Sequence, residues 1–176
     1  MKYCQGPDPE TKSPNFKAPP KACDAHCHVF GPDAKFPFAE GRSYTPPDSP
    51  FEAMQVLQKT LGIERAVIVQ ATCHGTDNTA ALDAIARSEG RYKGVAIVDD
   101  SFTDDDFKRL DEGGMRGIRF SFARHIGNAP DFTMVRRITE RIALLGWHVV
   151  IYMEAPDIVE NADTLADLPL PVVIDH

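Results

Sequence analysis

Several classes of protein are set aside by what this chain lacks. No apolar run among its 176 residues approaches the ~18 residues of a membrane-spanning helix. The first 21 residues, MKYCQGPDPETKSPNFKAPPK, are polar and proline-rich and have no apolar stretch of the kind that drives secretion. The four cysteines, Cys4, Cys23, Cys27 and Cys73, form no Cys-x-x-Cys pair and suggest no disulfide framework. The expectation is a cytoplasmic protein with reduced thiols. Basic charge is also short: 19 Lys and Arg stand against 26 Asp and Glu, a net charge of −7. Nucleic acid is therefore not an expected partner. A local group of arginines can still give one pocket a positive sign, so an anionic small molecule stays open. Neither a Gly-x-Gly-x-x-Gly turn nor a Walker loop is present, which weakens a nucleotide-binding reading.

What is present is a regular alternation. Residues 1–21 read as an extended arm and 22–176 as one domain. Apolar, β-branched runs at 22–29, 65–71, 94–98, 116–122, 147–153 and 171–175 read as strands. Between the first two lies a Pro- and Gly-rich loop over 31–48, then a helix opened by a Ser49–Glu52 capping box with Met54, Leu57 and Leu61 at helical spacing and Gly62 as its stop. Further helices are expected at 77–88, 104–111, 131–145 and 156–168, that at 131–145 with Val135, Ile138, Ile142 and Leu145 inward. The acidic run Asp104–Asp106 reads as a solvated helix start. Six strands alternating with five helices imply an α/β fold with a parallel sheet. An open doubly wound sheet and part of an eight-stranded barrel both fit, and periodicity does not choose between them.

The polar residues gather at strand C-termini. Asp24, His26 and His28 alternate along the first strand and share a face. Cys73 and His74 follow the second, Arg119 lies on the fourth with Arg124 and His125 after it, Tyr152 and Glu154 end the fifth, and Asp175 and His176 end the sixth. In a barrel these ends build the active site. His148 begins its strand and reads as structural, Cys27 as packing on a helix, and Cys73 as a small buried residue. For Arg119 a structural ion pair is the competing reading.

These segments carry a resemblance. DAHCHVFGP is similar to the His-x-His strand that opens the amidohydrolase superfamily, and SYTPP, VIVQATCHGTDN, GIRFSF and PVVIDH resemble its 2-pyrone-4,6-dicarboxylate lactonase branch, from about residue 20 to the end. The resemblance implies a (β/α)8 barrel, of which this chain would supply about six strands and five helices, against a usual size of about 250 residues. It implies hydrolysis of a carboxylated lactone in aromatic-compound catabolism. Alternatives are a related sugar-lactone or muconolactone hydrolase, or a non-catalytic fragment. His26, His28 and His176 would polarise the ester carbonyl. Tyr44, Thr72, His74, Arg119, Arg124, His125 and Tyr152 would contact the substrate, the arginines taking its carboxylates. The general base implied by resemblance, an Asp after an eighth strand, has no counterpart here. No metal is favoured, because strand four carries no bridging Lys and strand five no His; were zinc bound, His26, His28 and His176 would be its ligands. Unclosed barrel edges would leave the chain open to self-association, and want of the strand-eight carboxylate would leave it catalytically inactive.

Overall fold

The computed structural model describes residues 2–127 and 129–176. Its main sheet has six strands: β1 (Cys23–Cys27), β2 (Arg65–Val69), β3 (Tyr92–Ala96), β4 (Met115–Ser121), β5 (His148–Tyr152) and β6 (Val172–Asp175). All neighbours are parallel, and the spatial order follows the order in the chain. That order decides between the two architectures. A doubly wound sheet reverses direction at a switch point, whereas a barrel adds each strand to the same edge. The sheet is six strands of a barrel wall.

Helices α1 (Phe51–Leu61), α2 (Thr79–Arg87), α3 (Asp104–Glu112), α4 (Phe132–Arg141), α5 (Ala155–Glu160) and α6 (Ala162–Ala166) lie in the crossovers. Strand parity sorts the core into two layers. Ile68, Ile118, Phe120, Val149 and Ile151 pack outward with the helix residues Ala81, Ile85, Leu110, Val135 and Ile138. Val69, Val95 and Val150, with Val67 against them, form a separate inner cluster. Inward positions are therefore apolar at mid-strand and polar toward the C-terminal ends, where Arg119, Tyr152 and Asp175 follow in the same parity.

Some boundaries differ from the sequence reading. Ser49 does not cap α1. Its backbone is held extended by an antiparallel bridge to Phe30, with N–H···O distances of 2.7 and 2.9 Å, so Pro50 takes the N-cap position and Glu52 instead meets Arg87. A capping box does occur at α3, between Thr103 and Asp106. The buried face of α1 is Phe51, Met54 and Gln58, leaving Leu57 exposed. On α2 it is Ala80, Ala81, Ala84 and Ile85, with Ala86 outside. Helix α4 ends at Arg141 and tightens into a 3-10 turn, Ala143–Leu145, which swings Leu145 to the surface. The helix expected at 156–168 is broken at Asn161 into α5 and α6. Near the N-terminus, Lys2–Tyr3 pairs in parallel with Tyr44–Thr45, so the arm runs alongside the loop that follows β1. No helix among the described residues is long and apolar enough to cross a membrane.

Candidate active site

The C-terminal ends of β1, β4, β5 and β6 bring five of the expected residues together. The rings of His26 and His28 lie 5.0 Å apart, those of His26 and His176 also 5.0 Å, and those of Tyr152 and His176 4.8 Å. The Arg119 guanidinium lies over the Tyr152 ring, 5.1 Å from its centroid. Arg119 Nε donates to Asp175 Oδ2 at 2.9 Å, and His26 Nδ1 is 3.7 Å from the same oxygen. Both members of the Arg119–Asp175 pair are buried, at 5% and 8% exposure, so this is an ion pair removed from solvent.

Protonation follows from burial. His28 Nδ1 is 2.7 Å from the carbonyl oxygen of Val69, and a carbonyl only accepts, so Nδ1 carries the hydrogen. Burial pulls the His28 pKa down to about 4, which leaves Nε2 with a free lone pair at neutral pH. His26 is also lowered, chiefly by burial, with Asp175 opposing. Its Nε2 and Asp175 Oδ1 are buried without a hydrogen-bond partner among the described residues, as is Ser121 Oγ. Orphaned polar atoms at one mouth mark a place built for something else to bind.

Arg119 and Ser121 also line a cavity of 960 Å³ that extends from this cluster toward β2 and the loop after β1, where Thr72, His74 and Arg42 complete its wall. Tyr44 is hydrogen-bonded to Thr72 and Cys73, and burial raises its hydroxyl to about 12. His74 is nearly inaccessible at 3% exposure and spends both nitrogens on backbone: Nε2 accepts from Gly31 N–H at 3.3 Å, and Nδ1 lies 3.2 Å from Pro37 O. Its polar atoms are therefore committed to holding the loop, and what it offers the cavity is its ring. Arg124 is exposed and tied to Asp157 at 2.9 Å and Glu154 at 3.6 Å. His125 Nε2 lies 3.2 Å from the Tyr152 hydroxyl, which links it to the His176 ring. His148 sits at the far, N-terminal end of β5, and the Cys73 thiol is fully buried and raised to about 11.

The sequence places Asp175 at this mouth, beside His176 at a strand end, but assigns it no role, and the strand parity it shares with Tyr152 is the signal for one. Arg42 lies in a loop without periodicity, and nothing local marked it.

A parallel barrel wall with a His-x-His strand and a polar C-terminal mouth defines a class of barrel proteins. The chain belongs to the amidohydrolase family, whose model matches residues 23–176. It is 48% identical over 163 residues to a 2-pyrone-4,6-dicarboxylate hydrolase of Comamonas testosteroni, covering 93% of this chain and 53% of that protein. It is 38% identical over 174 residues to a 4-sulfomuconolactone hydrolase of Hydrogenophaga intermedia, covering 98% of this chain and 57% of that one. Among solved structures, a probable 2-pyrone-4,6-dicarboxylic acid hydrolase from Acinetobacter baumannii with citric acid bound superposes with a TM-score of 0.78 at 25% identity, over 89% of this chain and 58% of that one. The chain spans about half the length of the curated relatives it matches.

Divalent metals are common in this family. The donors for one are present in part. Ligand atoms of His26, Asp175 and His176 lie within 4.8 Å of one another, and two of those residues carry the orphaned atoms noted above. Two imidazoles and a carboxylate suit a zinc-like ion, so these three residues would hold it. Asp175 rather than His28 completes the set that the sequence reading had drawn from histidines alone.

Proposed function

We propose that this chain carries the substrate-polarising half of a lactone hydrolase site acting on a small, multiply anionic lactone, with 2-pyrone-4,6-dicarboxylate as the substrate that fits best. The observation that carries the reading is the juxtaposition of His26, His28 and His176 with the buried Arg119–Asp175 pair, whose Arg119 also lines a cavity large enough for a one-ring ligand. The names of the relatives support the substrate class.

In this reading the ester carbonyl meets the cluster as water adds to it; the ring C–O bond then breaks, the ring oxygen leaves as an enolate, and the water's proton passes to a carboxylate base that these residues do not supply. Negative charge gathers on the carbonyl oxygen, and donors already aimed there lower the barrier. His26 and His176 supply N–H donors. His28, whose Nδ1–H is spent on Val69, offers Nε2 as an acceptor and so orients a water or hydroxyl group. Arg119 is fixed by Asp175 and presents its remaining N–H groups to a substrate carboxylate. Thr72, Tyr44, His125 and Tyr152 frame the ring, His74 packs beneath it, and Arg124 guards the rim. A bound divalent ion would add Lewis acidity at His26, Asp175 and His176. The reading does not require one, because Arg119 already brings a fixed positive charge to that carboxylate. The four free cysteines and the net charge of −7 support a reducing, cytoplasmic setting and no nucleic-acid partner.

The test is to mix the purified protein with the pyrone dicarboxylate and titrate the released acid, with 4-sulfomuconolactone in a parallel reaction. Acid release from the pyrone supports the reading. Release from the sulfonated lactone alone keeps the chemistry and moves the substrate. Calorimetric binding of the pyrone without release supports the half-site, and neither release nor binding of either lactone defeats the reading.

A further inference from the structure

Three arginines reach this mouth, and the structure treats them differently. Arg119 is bonded to Asp175, and Arg124 is bonded to Asp157 and Glu154. Arg42 forms no ion pair with the described residues. It is half-buried, and its Nε donates to Thr45 Oγ1 and its Nη1 to Ala39 O, both at 2.9 Å. Its guanidinium carbon lies 5.7 Å from the Phe38 ring centre, and that ring packs on His74 at 4.7 Å. The stack Arg42–Phe38–His74 fixes the group on the cavity wall at the cost of only two of its five N–H donors.

A guanidinium that is immobilised, partly desolvated and not neutralised is prepared for an anion. The cavity gives the direction. It runs from Arg119, which touches the histidine cluster, to Arg42 beside Thr72. A ring whose ester lies at the histidines, with one carboxylate near Arg119, would carry its second anionic group toward Arg42. We infer that Arg42 is a specificity residue that binds one ring carboxylate of the lactone and so selects doubly anionic substrates over singly anionic ones. This rests on the lactonase reading above and deepens it.

Calorimetric titration of the parent protein, Arg42→Gln and Arg42→Lys with 2-pyrone-4,6-dicarboxylate and with the two corresponding monocarboxylates separates the outcomes. Arg42→Gln should weaken the dicarboxylate and one monocarboxylate by about 10- to 100-fold, as expected for a lost charge-assisted hydrogen bond. The other monocarboxylate should change by less than about twofold, and Arg42→Lys should recover part of the loss, since it keeps the charge without the fork. Equal weakening of all three ligands in Arg42→Gln would show that Arg42 only shapes its loop, and no weakening would show that it does not touch the substrate; either overturns the inference while leaving the lactonase reading intact. A parent protein that binds none of the three pyrones removes both.

Discussion

At the scale of single residues, the site is governed by which charges are already spent. Arg119 was expected to serve a substrate carboxylate, and the structure gives it a protein carboxylate as well, 56 positions away in the chain. No local pattern reveals a partner at that separation; only the stacking of β4, β5 and β6 brings the two together. Replacing Arg119 by Met should therefore have two effects. It strands Asp175 as a buried unpaired carboxylate, costing about 3–5 kcal/mol of stability, and it weakens dicarboxylate binding by about 1.5–3 kcal/mol. The double variant Arg119→Met, Asp175→Asn should regain most of the stability and none of the binding. Denaturant melts and titrations of the two variants check this, and a double variant no more stable than the single would show that the pair is not coupled. The buried histidines give a second expectation. His74, His26, His28 and His148 are all lowered by burial, His28 to about 4. A histidine lowered in the folded state takes its proton more readily when unfolded. Stability is thus fully present above the ordinary value of about 6.5 and drains away as pH falls toward 4. Protonating His74 also removes the lone pair that accepts from Gly31. NMR titration should place the His74 ring below its ordinary value, and an ordinary or raised value would contradict the burial argument.

At the scale of elements, the inner strands were legible because a parallel strand covered on both faces is an apolar run whatever its neighbours do, while the edge strand β1 was placed by the alternation of Asp24 and His26. Helix ends were less legible. The Ser49 cap was lost to a backbone bridge with Phe30, Leu145 was lost to a 3-10 turn, and the last helix was split at Asn161. Each was decided by contacts outside the segment. The His-x-His side of the site was readable for the same reason as the strands, since parity fixes a face. Arg42 was not readable, because its place depends on the path of a loop. The base of the barrel carries its own constraint. A Cβ added at Gly117 on β4 would lie 2.7 Å from the His148 ring and 2.9 Å from the His148 carbonyl oxygen. The ring can turn aside but the backbone of β5 cannot, so Gly117→Ala should destabilise the protein by about 1–3 kcal/mol through forced separation of the two strands. A urea melt measures it, and a neutral result would mean that the β4–β5 pairing is looser than the register implies.

At the scale of the whole molecule, the strand order joins these parts. Six strands laid down in sequence turn one face inward, and the polar ends of that face meet at one mouth. The central proposal is that this mouth binds and polarises a doubly anionic lactone without needing a metal. The most direct measurement is calorimetric titration of 2-pyrone-4,6-dicarboxylate into protein pre-treated with a strong chelator. One pyrone should bind per protein with an affinity that the chelator does not change, weakened by about 10-fold in His26→Ala, as for a lost hydrogen bond. Binding abolished by the chelator and restored by one equivalent of zinc would contradict the metal-free reading, and unchanged binding in His26→Ala would contradict the site itself.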